Sequence, residues 1–196
     1  ALNTPNMDKL ANGGIRFTNG YASSATCSPS RYALLTGTYP WRNSKAKILT
    51  GASLIIDTTE MTLPKMLKTV GYNTGIVGKW HLGLGLDKID YNSNISPGPN
   101  QIGFDYSYIM ADTQDRVPSV YIENGDVVNL DKNDPIEVNF KEKNDYGLPT
   151  GLKNPELTTM KWHHGHNSSI VNGIPRIGFM KGGEKARWSD IDMADH

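Results

Sequence analysis

The strongest constraint on the fold of this chain is a helix-then-strand unit punctuated at both ends. Thr62 and Pro64 open a helix through Met66, Leu67 and Val70, and Gly71 closes it. Residues 72–77 then read as a buried strand leading into Gly78-Lys79-Trp80-His81. An earlier unit has the same order. Thr4-Pro5 starts a short helix that Gly13-Gly14 stops, and in residues 15–22 Ile15, Phe17 and Tyr21 alternate with Arg16 and Thr18, which predicts a strand. Between the two units, Pro29 and Gly37 bracket another helix, with Ala33, Leu34 and Leu35 grouped over two turns and Cys27 to Ser30 at its N-terminus. Helix then strand, twice, predicts an α/β layered fold.

Farther along, residues 87–103 are rich in Asn, Ser, Pro and Gly and read as a surface loop, residues 104–110 as a strand, and Asn124-Gly125 as the turn of a hairpin. Residues 130–160 are polar and aperiodic. Ser189-Asp190, with Ile191, Met193 and Ala194, predicts the start of a helix that stops at His196. An α/β sheet would also place a strand ahead of the Thr4 helix. The expectation is therefore that residues 1–196 are part of one larger domain, cut at both ends.

Composition removes several function classes. Twenty Lys and Arg balance twenty Asp and Glu, so a basic face for nucleic acid is not expected. The sequence holds no run of about 20 apolar residues, which argues against a membrane span, and its first residues have neither the basic nor the apolar part of a signal peptide. The single Cys excludes an internal disulfide and a Cys-rich zinc site. That thiol is either a small buried apolar group or a reactive one, and its neighbours decide.

Those neighbours favour chemistry. Cys27-Ser28-Pro29-Ser30-Arg31 puts a thiol, two hydroxyls and a guanidinium at a loop-to-helix junction, where backbone N–H groups and the helix dipole favour an anion. Arg31, one turn along, carries a planar fork suited to sulfate, phosphate or carboxylate oxygens. Lys79 and His81 emerge together beyond a strand's carboxyl end, where α/β folds bind ligands, and pair a fixed cation with a titratable imidazole. In His163-His164-Gly165-His166, a zinc site would want further ligands at loop spacing; His164 or His166 lining a substrate mouth, or capping the following loop, fits better. Asp115 and Arg116, in the polar stretch from Asp112, are candidates for sugar recognition, with a solvated loop as the alternative. The sequons at Asn94 and Asn167 permit glycosylation only in a secretory eukaryotic setting.

Two longer patterns carry a family resemblance. Ala25-Thr26-Cys27-Ser28-Pro29-Ser30-Arg31-Tyr32-Ala33-Leu34-Leu35-Thr36-Gly37 resembles the first signature of the type I sulfatase family, whose Cys-x-Pro-x-Arg core directs oxidation of the Cys to formylglycine. Gly71-Tyr72-Asn73-Thr74-Gly75-Ile76-Val77-Gly78-Lys79-Trp80-His81 resembles the second, and both are complete. The likeness is close over residues 3–85 and looser beyond. It implies an alkaline-phosphatase-like α/β fold, a mixed sheet flanked by helices, and a sulfuric ester hydrolase acting on sulfated carbohydrate or an aryl sulfate.

By the same resemblance, Cys27 becomes formylglycine, one hydroxyl of its hydrate attacks sulfur, and proton loss from the other expels sulfate. Arg31 would stabilise the hydrate, Lys79 would neutralise charge on the sulfate, and His81 would orient or deprotonate the diol. Asp115, Arg116, His164 and His166 remain the candidates for substrate contact. The family also uses a divalent ion, usually Ca²⁺, to which only position 27 of this chain is assigned; the remaining metal ligands and the leaving-group acid belong to family segments outside residues 1–196, so these residues alone are expected to be inactive. A formylglycine-generating or anaerobic maturation enzyme is the implied partner, and a periplasmic, secreted or lysosomal location the implied setting. Two alternatives stay open: a phosphate or phosphonate monoester hydrolase of the same superfamily, and an inactive sulfated-glycan-binding or truncated homologue.

Overall fold

The computed structural model describes residues 3–47, 50–141 and 146–189. Three α-helices precede the sheet: α1 (Pro5–Gly13), α2 (Cys27–Thr36) and α3 (Leu63–Lys68). The four-stranded sheet is β1 (Gly75–Lys79), β2 (Tyr106–Met110), β3 (Tyr121–Glu123) and β4 (Asp126–Val127), adjacent in that order. β1 pairs parallel to β2, and the other pairs are antiparallel, so the sheet is mixed. β5 (Glu137–Asn139) pairs antiparallel with β8 (Phe179–Lys181), and β6 (Ile170–Val171) forms a hairpin with β7 (Ile174–Pro175).

Local chemistry explains the elements that set the site. α2 ends where Gly37 takes φ 66° and its N–H reaches the Ala33 carbonyl at 2.9 Å, a left-handed cap that suits glycine. Tyr32 and Leu35 bury one face of α2, while Leu34 lies outside. α3 starts at Thr62, whose side chain accepts from the Lys65 amide, and stops two residues short of Val70. The Asp105 carboxylate ties the start of β1 down: it accepts from the Thr74 amide at 2.9 Å and from Lys68 Nζ at 2.5 Å, and the Lys68 bond leads in pulling it down to about 2. Asn124 (φ 49°) and Gly125 (φ 95°) turn β3 into β4 as expected. Asn172 (φ 53°) and Gly173 (φ 77°) turn β6 into β7 by the same chemistry, a hairpin the sequence reading passed over.

Three expectations are corrected. Residues 15–22 form no strand: among the described residues nothing ladders with them, and Ile15, Phe17 and Tyr21 lie exposed, Tyr21 at 90%. Alternation alone does not hold a strand without a partner. The strand expected at 72–77 occupies Gly75–Lys79 and is not buried; it is a sheet edge with Val77 63% exposed. An apolar run marks extended chain but does not say which faces are covered. Residues 87–103 are more than a surface loop, because Tyr91, Ile95 and Ile102 sink into the core and Asn100–Ile102 is a short 3₁₀ helix. The helix expected from Asp190 lies outside the described residues.

The core gathers where the chain leaves β1. Trp80, Leu82 and Leu84 pack with Ile109, Val117, Val120 and Ile122, and the Trp80 indole donates to the Gly83 carbonyl at 2.6 Å. Residues 82–85 run beside 52–55, with Ile55 N–H on the Leu82 carbonyl and Leu84 N–H on the Ala52 carbonyl, each at 3.0 Å. Gly83 is required in that crossing. Its φ is 77°, and a Cβ there would stand 2.0 Å from the Ser53 carbonyl oxygen. Gly83→Ala is expected to destabilise the protein by about 2–4 kcal/mol through clash and backbone strain, read as a lower denaturation midpoint at unchanged m-value.

Candidate active site

The N-terminus of α2 meets the carboxyl end of β1, and two side chains of α2 make the joint. The Arg31 guanidinium donates through Nη1 to the Lys79 carbonyl at 2.6 Å, and the Ser28 hydroxyl to the His81 carbonyl at 2.8 Å. Ser28 is buried, and the sequence reading gave it no separate role. Its signal was its place in the signature, one residue after the thiol.

The hydrogen bonding of β1 to its neighbour outlasts the strand. Trp80 N–H reaches the Met110 carbonyl at 2.9 Å and His81 N–H the Ala111 carbonyl at 3.0 Å. Gly78 at φ 102° and His81 at φ 54° turn the backbone on either side of Lys79 and Trp80. A positive φ at a non-glycine residue is a local cost that surrounding contacts must hold in place.

Cys27 is the first residue of α2 and is partly exposed. Burial alone would raise its thiol, but the Lys79 ammonium beside it, with the Ser28 amide and a hydrogen bond from Lys79, brings it below the ordinary value. His81 is 2% exposed and is pulled down to about 4, first by burial and then by the charges of Arg116, Lys79 and Arg31, with Asp115 opposing. Its imidazole is therefore neutral near pH 7. Lys79 acts on both Cys27 and His81, so all four residues expected to carry the chemistry form one cluster.

The substrate-side candidates divide. Arg116 Nη1 lies 3.0 Å from His81 Nε2. Asp115 shares its carboxylate between Thr113 and His166, whose Nε2 stands 2.6 Å from Asp115 Oδ2. Burial works against ionisation of Asp115, yet the Thr113 and His166 bonds leave it below the usual carboxylate range. His166 thus joins the cluster through Asp115. His164 does not: it is exposed, at φ 49°, with Nδ1 2.5 Å from Nδ1 of His163.

Residues 112–116 are held from behind by the chain after β7. Arg176, buried against the Trp188 ring at 5.0 Å, donates to the Gln114 carbonyl at 2.5 Å, and Ile177 N–H reaches the Asp115 carbonyl at 2.7 Å. The sequence reading missed Arg176. Nothing local marks it, because the carbonyl it holds, that of Gln114, stands 62 positions upstream.

A calcium ion takes several oxygen donors. The charged groups acting with Cys27 are the cations Lys79 and Arg31, and among the described residues no three His, Cys, Asp or Glu side chains converge to hold an ion. The described residues do not make a calcium site by themselves.

Two signature segments, joined by the Arg31 and Ser28 hydrogen bonds on one α/β scaffold, define the class. Residues 1–167 match the Sulfatase family model, and the chain belongs to the sulfatase family. It is 55% identical over 197 residues to an N-acetylgalactosamine-6-O-sulfatase of Bacteroides thetaiotaomicron, a match covering 99% of this chain and 38% of that protein. Human steryl-sulfatase is 40% identical over 115 residues, covering 55% of this chain and 19% of that protein. A solved structure from work on glycosaminoglycan metabolism by Bacteroides thetaiotaomicron superposes with a TM-score of 0.93 at 55% identity, covering 98% of this chain and 40% of that one. The chain thus spans about two fifths of the length of these Bacteroides relatives, and the sulfatase α/β fold is the one observed.

Proposed function

We propose that this chain supplies the nucleophile and the charge-handling groups of a sulfuric ester hydrolase acting on sulfated carbohydrate, as part of a single catalytic domain. The observation that carries the reading is the convergence of Cys27, Arg31, Lys79 and His81. Cys27 is accessible at a helix start, as oxidation of its side chain by a formylglycine-generating or anaerobic maturation enzyme requires. Once converted, position 27 supplies a hydrated aldehyde whose hydroxyls serve as nucleophile and as exit route for sulfate.

The chain's own residues then have separable tasks. Lys79, a compact ammonium beside position 27, neutralises charge developing on the sulfuryl oxygens. Arg31 fixes the Lys79 backbone and adds a second positive charge next to position 27. His81, neutral and buried, positions the reacting oxygens. Asp115 and His166 form the inner wall for the saccharide, Arg116 stands between that wall and His81, and His164 lies on the outer rim. Among the described residues no helix is long and apolar enough to cross a membrane. A periplasmic or secreted setting, lysosomal in a eukaryote, goes with this reading.

The test uses the full-length protein expressed with its maturation enzyme. The relative named for 6-O-sulfated N-acetylgalactosamine makes that sugar the first substrate, set against its 6-phosphate. Sulfate release is expected, with the Cys27 peptide showing by mass spectrometry that oxygen has replaced sulfur. Active protein carrying an unmodified thiol would overturn the mechanism, and preference for the phosphate would move the assignment to phosphate ester hydrolysis.

A further inference from the structure

Asp115 and His166 meet across 51 positions of sequence, and neither lies in a helix or a laddered strand. The Asp115 carboxylate, held below its usual range, only accepts near neutral pH, so the proton in its 2.6 Å contact belongs to His166 Nε2. The other ring nitrogen, Nδ1, is 2.9 Å from the His163 carbonyl. Both ends of the ring are aimed at oxygens, yet both partners sit on irregular chain. Their meeting depends on whatever holds the two segments at a fixed separation.

Arg176 is bonded to both. Toward the first segment its guanidinium donates through Nη1 to the Gln114 carbonyl at 2.5 Å, and the next amide, Ile177, reaches the Asp115 carbonyl at 2.7 Å. Toward the second, its own N–H reaches the Ser169 carbonyl and its carbonyl accepts from the Ser168 N–H, each at 2.9 Å. Ser168 stands two residues after His166. Arg176 is only 2% exposed and lies over the Trp188 ring, and Trp188 is itself pinned by its N–H on the Ser119 carbonyl at 3.0 Å. Burying a guanidinium carries a desolvation cost that a methionine of similar length would not. What the guanidinium adds is a charge-assisted, directed bond to one backbone carbonyl.

We propose that Arg176 is a positioning residue for the saccharide: it sets the separation of Asp115 and His166, and so governs how tightly the sugar is held without entering the chemistry at position 27. The bonds that assemble Cys27, Arg31, Lys79 and His81 run from α2 to the end of β1 and do not pass through Arg176. Arg116, which touches His81, is fixed separately: its N–H reaches the Thr113 carbonyl at 3.1 Å, and the next residue, Val117, bonds the Ile177 carbonyl at 3.1 Å. The inference deepens the sulfatase reading and rests on its placing of Asp115 and His166 in the saccharide wall.

The experiment uses full-length, matured protein and 6-O-sulfated N-acetylgalactosamine. Arg176→Met, which keeps the bulk and loses the donor, is expected to raise KM about tenfold with kcat within about twofold of wild type, the pattern of lost ground-state binding. The downfield ¹H signal of the His166 Nε2 proton, identified by its loss in His166→Ala, is expected to be sharp in wild type and broadened in Arg176→Met. Arg176→Lys, still a charged donor, is expected to recover most of both. In a double-mutant cycle, His166→Ala should raise KM in wild type and add little in Arg176→Met, whereas a purely structural role would leave the two effects independent. Arg176→Met with wild-type KM, or with the His166 proton signal unmoved, overturns the proposal, as does a fall in kcat at unchanged KM. Should that variant not fold, hydrogen exchange in Cys27→Ala protein decides. There the bound sulfated sugar is expected to slow the Ile177 and Ser168 amides more than those of β2, and equal slowing overturns the proposal. Failure of the underlying reading shows separately, as wild-type protein that releases no sulfate or as His166→Ala with wild-type KM.

Discussion

Cys27→Ala in the full-length, matured protein is expected to bring sulfate release down to background while leaving the unfolding temperature close to wild type. The two halves have different causes. Alanine offers no thiol to oxidise, so no aldehyde forms, and the Arg31 and Ser28 hydrogen bonds that join α2 to the end of β1 remain, with only the Lys79 bond to the Cys27 sulfur lost. Position 27 is also only partly buried, and trimming it to a methyl leaves the Tyr32 and Leu35 face of the helix untouched. Assaying sulfate with the sulfated sugar, alongside a thermal melt, checks both halves. Measurable turnover by the alanine variant would remove Cys27 from the role of nucleophile.

Lys79→Ala should lower kcat by around 10²-fold or more, about 2.7 kcal/mol of transition-state stabilisation, with a smaller change in KM. Lys79 pairs with Met110 through its backbone and gives its carbonyl to Arg31, so the strand and the joint to α2 survive the loss of the side chain. What disappears is the one ammonium acting on both Cys27 and His81. In unconverted protein the same substitution should raise the Cys27 thiol, because the charge that favours its thiolate is gone, and alkylation of Cys27 should then need higher pH. Turnover near wild type would place Lys79 outside the reaction.

The elements legible in the sequence were those with chemistry at both ends. α2 carries Pro29 and Gly37, and it formed where expected. Asn124-Gly125 dictated its own turn. Residues 15–22 had only alternation, a necessary condition for a strand with one covered face and not a sufficient one, and they ladder with nothing among the described residues. β1 lay three residues beyond its expected start, because the Thr74 tie to Asp105, 31 residues on, fixes where extended chain begins.

The candidate site divides along the same line. Cys27, Arg31, Lys79 and His81 sit in two short segments whose spacing announces them. The links that give them character, Arg116 to His81 and His166 to Asp115, join residues 35 and 51 positions apart. No local pattern encodes such pairs. They follow from where β2 ends and from the chain after β7 that clasps residues 114–116.

Trp80 stands between Lys79 and His81, fully enclosed, its indole hydrogen anchored on the Gly83 carbonyl. The molecule therefore carries a fluorophore wired into the proposed site. Exposed Trp41 and Trp162 are open to collisional quenchers that Trp80 escapes, so quenching their glow isolates the light of the sheltered rings and makes it a gauge of whatever displaces the lysine and the histidine.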